Sequence, residues 1–327
     1  MAVVESAQDK RGLAGRILGS GRGRRPRSTE VRRRIGESWY TPYLFILPHL
    51  IIFFLFIGLP FFYGIWISLH DATGLRDGAF IGLRNYQWLL DPASIFSGRY
   101  IQSVWNTILF VFMSTPLLVG AGLFLATVLN QRFRGRNFFR GLYFAPWTLS
   151  VAVVGVTWWY LFSGSGGVIP NFLTQTFGDS PSWLTTTPWA WITILVGTLW
   201  WTIGFNTIVL LAGMQGISAD LYEAAAIDGA NRWQQFRHIT IPALRAVLLL
   251  VVTLQIIASF QLVGQPQLMT GGGPPPADTT PVLLHVYNTA FQGRRELGLG
   301  AAMALLVAVV MVAVSVINFR LFSSERS

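Results

Sequence analysis

Six stretches of this 327-residue chain stay apolar for about 20 residues or more, the length a helix rising 1.5 Å per residue needs to cross a ~30 Å hydrocarbon layer. They run approximately from Tyr43 to Leu69, Ile101 to Leu129, Phe139 to Phe162, Pro188 to Met214, Ala243 to Gly264 and Leu299 to Phe322. Charged residues make up 12% of the chain, about half the ~25% of a soluble domain. The expected fold is therefore all-α, a polytopic membrane protein with six transmembrane helices and a bilayer as its solvent.

Basic residues orient it. The formal charge of +10 comes from 23 Arg and one Lys against 14 acids. With the N-terminus inside, 19 of the 24 bases fall on cytoplasmic segments, and only Arg76, Arg84, Arg99, Arg294 and Arg295 fall outside. The positive-inside rule then places both termini in the cytoplasm, and the Arg-to-Lys ratio of 23 to 1 points to a GC-rich bacterium and its plasma membrane. Residues 1–42 read as a basic, disordered cytoplasmic tail. A nucleic-acid arm would carry aromatics, and a signal peptide would carry a cleavage site before so long a span. No nucleic-acid partner is expected, and membrane lipid is. Residues 43–322 form the membrane domain, and 323–327 the cytoplasmic end.

The spans hold no Asp, Glu or Lys. A carrier driven by protons or ions keeps such groups inside its helices, and a hydrolase or transferase needs a general base or a metal. His49 alone sits within a span, and without an acidic partner it reads as a polar group bonded to a neighbouring helix. Arg140 and Arg245 lie at cytoplasmic ends, where they can snorkel. The absence of Cys excludes thiol catalysis, disulfides and Cys-ligated metals, and the four His are scattered singly. A phosphate-cradling loop requires Gly-Lys-Ser/Thr, but the sole lysine, Lys10, lies between Asp9 and Arg11. This chain holds no cofactor of its own, and nucleotide energy must reach it from another polypeptide.

Between the fourth and fifth spans, residues 216–242 read as two short helices joined by a turn. Ser218 is a good N-cap, and Asp220 and Glu223 suit the positive end of the first helix. Ala224, Ala225 and Ala226 allow close approach of another surface. Asp228-Gly229 supplies the turn. Trp233, Phe236 and Ile239 form an apolar stripe on the second helix, and Pro242 suits the first turn of the fifth span. Spacing alone leaves two readings open, a docking surface or an interfacial helix lying on lipid.

The segment resembles, nearly position by position, the E-A-A-x-x-D-G-A-x-x-x-x-x-F-x-x-I-x-x-P pattern of the permease subunits of binding-protein-dependent ABC importers. The matching residues are Glu223, Ala224, Ala225, Asp228, Gly229, Ala230, Phe236, Ile239 and Pro242. Phe80-Ile-Gly82-Leu83-Arg-Asn85-Tyr86, Asn106-Thr107 and Thr270-Gly271-Gly272-Gly273-Pro274 are similar to stretches of the maltose-type carbohydrate permeases, so the resemblance spans roughly residues 42 to 322. It implies a type I ABC importer transmembrane domain whose loop docks on an ATPase. Glu223 would make the ionic contact, Gly229 the bend, and Ala224 and Ala225 the close-packing face. The implied partners are a second homologous permease, two ATPase subunits that bind the ATP and Mg, and an extracytoplasmic solute-binding protein.

Sugars are held by hydrogen bonds to hydroxyls and by stacking on aromatic rings, so a path should show polar and aromatic stripes at spacings of four. Thr198, Thr202 and Asn206 align on the fourth span beside Trp201 and Phe205; Gln255 and Ser259 align on the fifth. The alternative is that these groups only bond helix to helix. Trp158-Trp159-Tyr160 reads as an outer aromatic belt. The expected function is the permease subunit of a carbohydrate importer, not an enzyme. The alternatives are a permease for a polyol or glycerol phosphate, a membrane enzyme acting on lipid-linked sugars, or an uncoupled channel.

Overall fold

The computed structural model describes residues 40–74, 76, 78–273 and 279–323, so most of the basic tail, Pro274 to Pro276 and the last four residues lie outside the described residues. The chain divides into two compact units, Met1–Gly58 and Leu59–Ser327. In the first, α1 (Thr41–Phe53) starts with a proline in its opening turn and passes into a π-helical turn, Phe54–Gly58. It buries none of its residues, and His49 stacks on Phe53 at 6.4 Å and meets no polar partner among the described residues.

The second unit opens with α2 (Leu59–Ser68) and α3 (Arg84–Leu90). The Asn85-Tyr86 pair closes the end of α2: Asn85 Nδ2 donates to the carbonyls of Ser68 and His70 at 2.8 and 3.1 Å, and the Tyr86 hydroxyl lies 2.8 Å from Ser68 Oγ. The 36-residue α4 (Ile95–Asn130) follows, its first turn capped by Ser94 Oγ, which accepts from the Phe96 N–H. It starts six residues before the predicted span because Ser94, not the first apolar residue, sets the boundary.

The third predicted span, Phe139 to Phe162, is not a single rod. α5 (Arg136–Phe144) runs into a 3-10 turn, Ala145–Thr148, and α6 (Val151–Phe162) departs at 98°. Pro146 brings no N–H to a helical ladder, and the extended Ser150 starts a new helix by accepting from the Val153 N–H at 3.4 Å. Within the predicted belt, Trp159 and Tyr160 are exposed, but Trp158 turns inward, edge-on to Trp200 and stacked with Phe162.

After α7 (Val168–Phe177) comes the 27-residue α8 (Trp189–Gln215). The loop that follows holds α9 (Ala219–Ile227), α10 (Arg232–Gln235), a π turn (Phe236–Thr240) and α11 (Ile241–Ala243). A 71° bend then leads into α12 (Arg245–Phe260). Pro242 therefore opens α11, ahead of the bend, rather than the fifth span itself. α13 (Gly264–Met269), α14 (Val282–Phe291) and α15 (Leu297–Ser323) complete the chain. Among the described residues, four helices are long and apolar enough to span a membrane, and up to six spans result when each bent pair counts as one.

Three buried clusters hold the second unit together. Val119, Ala126 and Leu129 of α4 meet Leu210, Leu211 and Met214 of α8 and Val251 of α12 at one end. Leu89, Tyr100, Val282, Leu299 and Met303 join α3, α4, α14 and α15 at the other. Phe110 packs with Trp191, Ile194 and Leu195 between them. Lipid supplies no hydrophobic drive between helices, so close van der Waals contact does the work. At Gly204 that contact is extreme, because a Cβ there would lie 2.0 Å from the Tyr143 carbonyl oxygen.

Candidate functional site

α4, α6, α8 and α12, with the turn before α6 and the start of α13, enclose a cavity of about 480 Å³. All seven residues expected along a path line it: Thr198, Trp201, Thr202, Phe205, Asn206, Gln255 and Ser259. The four-residue spacing has therefore put them on one wall, as helical periodicity requires.

Each polar side chain among them already makes at least one hydrogen bond, to another or to the backbone. Thr198 Oγ1 donates to the Ile194 carbonyl at 2.7 Å and Thr202 Oγ1 to the Thr198 carbonyl at 2.8 Å. Asn206 Nδ2 donates to Gln255 Oε1 at 3.1 Å, Gln255 Nε2 donates to Ser259 Oγ at 3.3 Å, and Ser259 Oγ lies 2.9 Å from Ser114 Oγ. A polar chain thus ties α8, α12 and α4 together through the wall. Trp201 Nε1 donates to the Leu149 carbonyl at 3.1 Å.

Two contributors escape the sequence stripes. Trp147, carried by the 3-10 turn, stacks on Phe205 at 4.8 Å and lies 6.0 Å from Trp201, building an aromatic face. Gln265, from α13, is only 7% exposed, lines the cavity and has no side-chain hydrogen-bond partner among the described residues. Its amide carries a donor and an acceptor, as does that of the exposed Gln261, which also lines the cavity. The wall carries no ionisable side chain among the described residues.

The loop after α8 is built as two helices around a left-handed corner. Ser218 Oγ accepts from the Asp220 N–H, and Asp220 stands in the first turn of α9. Asp228 caps its end, Gly229 takes φ +83°, and the Ala230 N–H returns to the Ala225 carbonyl at 2.9 Å. Only glycine adopts that backbone without strain. Asn231 then starts α10 with a reciprocal capping box to Gln234, a signal present in the sequence as Asn-x-x-Gln.

The two helices are locked by the Tyr222 hydroxyl, 2.9 Å from the buried Thr240 Oγ1. Trp233 stacks on Phe236 at 5.6 Å, so the expected stripe forms, yet Trp233 is 66% exposed and Ile227 87%. Glu223, Ala224, Asp228 and Gly229 are exposed, Ala225, Ala230 and Phe236 half-buried. Glu223 makes no ion pair among the described residues. α9 presents a carboxylate, small side chains and large apolar groups together on a surface that buries nothing of its own.

Comparison with known proteins fits this geometry. The family described as binding-protein-dependent transport system inner membrane component matches residues 118–324. The trehalose/maltose transport system permease protein of Thermococcus litoralis is 35% identical over 280 residues, 85% of this chain and 92% of the relative. The sn-glycerol-3-phosphate transport system permease protein of Rhizobium meliloti is 31% identical over 294 residues, 89% of this chain and 97% of its own length. Among solved structures, a bacterial ABC transporter involved in the import of the acidic polysaccharide alginate superposes with a TM-score of 0.75 at 22% identity, over 88% of this chain and 96% of that one.

Proposed function

The chain belongs to the family of binding-protein-dependent transport system inner membrane components, and from that premise we propose that its cavity passes an uncharged saccharide while the 216–242 loop receives the stroke of a separate ATPase. One observation carries the reading. α8 and α12, which wall the cavity, are the two helices that the loop connects, so displacement of the loop reaches both walls directly.

The family is one of transport permeases, and the chain performs no covalent chemistry in this scheme. The partners are a second permease, two ATPase subunits that bind the ATP and Mg, and an extracytoplasmic binding protein. A related alginate transporter is known in complex with a periplasmic protein carrying an alginate pentasaccharide. α1, which buries no residue, offers its sides to lipid and to the second permease. Both termini and the loop lie in the cytoplasm, where 19 of the 24 basic residues then fall.

The chemistry of the wall selects the substrate class. Trp147, Trp201 and Phe205 offer ring faces to a pyranose, and Gln265 offers an amide to its hydroxyls. A phosphate or carboxylate would be stripped of water beside no cation among the described residues of the wall, which disfavours glycerol phosphate despite the relative that carries that name. The test is purification of the membrane complex with Glu223→Lys. The ATPase subunits should be lost and saccharide uptake abolished, because the reversed charge opposes a basic partner. Uptake at the unaltered rate would remove Glu223 from the coupling contact.

A further inference from the structure

The segment between α4 and α6 belongs to neither the cavity's polar chain nor the docking loop. From Gln131 to Phe144 it holds four arginines and no acid. Arg140 is engaged within the fold, its Nη2 donating to the Leu129 carbonyl at 3.1 Å and closing the last turn of α4. Arg132 and Arg134 are exposed and Arg136 half-buried, and none of the three has a partner among the described residues. Beside them, Phe138 and Leu142 stand one turn apart on α5, 69% and 54% exposed. Phe133 and Phe139 pack ring to ring at 6.1 Å across the turn.

Two geometric facts fix where this surface lies. α5 climbs from the α4 end, where Arg140 meets Leu129, to the middle of α8, where the Tyr143 carbonyl abuts Gly204, before α6 departs at 98°. The α4 end from which it starts, at Leu129, packs against Met214 and Leu244, the two ends of the docking loop. Both therefore share one face of the membrane.

We propose that α5 and the turn before it form a binding site for an anionic phospholipid headgroup of the cytoplasmic leaflet, with Arg132, Arg134 and Arg136 holding the phosphate and Phe138 and Leu142 entering the acyl layer. The choice of leaflet rests on the orientation given under the proposed function. Charge complementarity selects the occupant: a uniformly basic turn beside an apolar ridge in the interface matches an anionic lipid and repels a cationic surface. The site is mechanically placed. α5 leads straight into the turn bearing Trp147, and its Tyr143 carbonyl abuts Gly204 of α8, so a lipid seated on α5 steadies two parts of the cavity wall.

The test uses the full-length chain in nanodiscs of phosphatidylcholine with a minority of phosphatidylglycerol, read by native mass spectrometry. The wild type should retain phosphatidylglycerol in preference. Each arginine near an anionic surface contributes roughly a fivefold preference, so Arg132→Gln/Arg134→Gln/Arg136→Gln should lower the retained ratio by on the order of a hundredfold, the product of three such contacts. The matching triple Lys variant should keep the preference, which separates charge from misfolding. An equal ratio in the wild type and the Gln variant overturns the proposal. Because the ratio is read on the chain without transport, the result stands apart from whether Glu223→Lys uncouples uptake.

Discussion

Asn206 Nδ2 donates to Gln255 Oε1 at 3.1 Å, joining α8 to α12 through two amides that are 3% and 6% exposed. The bond lies between the two helices that the 216–242 loop connects, and Gln255 relays it through Ser259 to Ser114 on α4. Asn206→Leu strands the Gln255 carbonyl in a low-dielectric wall and should destabilise by about 1–3 kcal/mol. Adding Gln255→Leu should recover part of that loss. A double-mutant cycle on unfolding in detergent should return a coupling of roughly 0.6–1.7 kcal/mol. Strictly additive effects would mean that the bond contributes nothing.

Gln265 should behave in the opposite way. Its buried side chain has no internal partner among the described residues, so Gln265→Ala removes no native bond seen there. The thermal midpoint should stay within a degree or two, while the KM for saccharide uptake rises roughly fivefold, the value of one neutral hydrogen bond. An unchanged KM with a lowered midpoint would make Gln265 a packing residue.

Asn206 and Gln255 are legible in the amino-acid order because each continues a four-residue stripe, and a helix carries such a stripe to one wall. The direction of the Thr198 and Thr202 hydroxyls is not, since a threonine in hydrocarbon bonds its own helix whenever nothing nearer competes. Trp147 is hidden because it sits at a break in an apparently continuous apolar run, and Gln265 because it lies one residue past the end of the fifth predicted span. Pro146 and Ser150 do mark that break, but apolar length outweighs them. The docking loop is legible almost residue by residue, its Asn231 capping box aside, because caps and turns are local. The Tyr222–Thr240 contact is not, because nothing in a sequence pairs residues 18 apart across a corner.

That contact leads to a separable phenotype. Tyr222→Phe keeps the ring and deletes the hydroxyl that meets Thr240, at a net cost of about 1 kcal/mol. The loop should still dock but transmit less of its displacement to α12. The expected outcome is near-normal ATPase copurification with fewer saccharide molecules moved per ATP. A parallel fall in docking and transport would assign Tyr222 to the contact surface instead.

Two glycines should fail for different reasons. At Gly229 a Cβ meets nothing within 4 Å, so Gly229→Ala bears only the conformational cost of φ +83°, about 1–2 kcal/mol. At Gly204 the same atom collides with the Tyr143 carbonyl. Gly204→Ala should separate α5 from α8 and prevent accumulation in the membrane, whereas Gly229→Ala should accumulate and couple poorly. Immunoblots of membranes decide, and equal abundance of the two would contradict the close approach.

His285 provides the pH dependence. It stands on α14 in a cleft with Arg99 of α4 and with Arg294 and Glu296 of the turn before α15. Burial first, and then the Arg99 charge, hold its pKa below the ordinary 6.5. The unfolded chain therefore binds the proton more readily than the folded one. Stability should be constant above the unfolded value, fall as pH drops through 6.5, and level off again below the folded pKa. Thermal unfolding in detergent at about pH 7.5 and about pH 5.5 should show the loss in the wild type and a smaller one in His285→Gln, which cannot titrate. If both lose the same amount over that interval, the protons are taken up elsewhere.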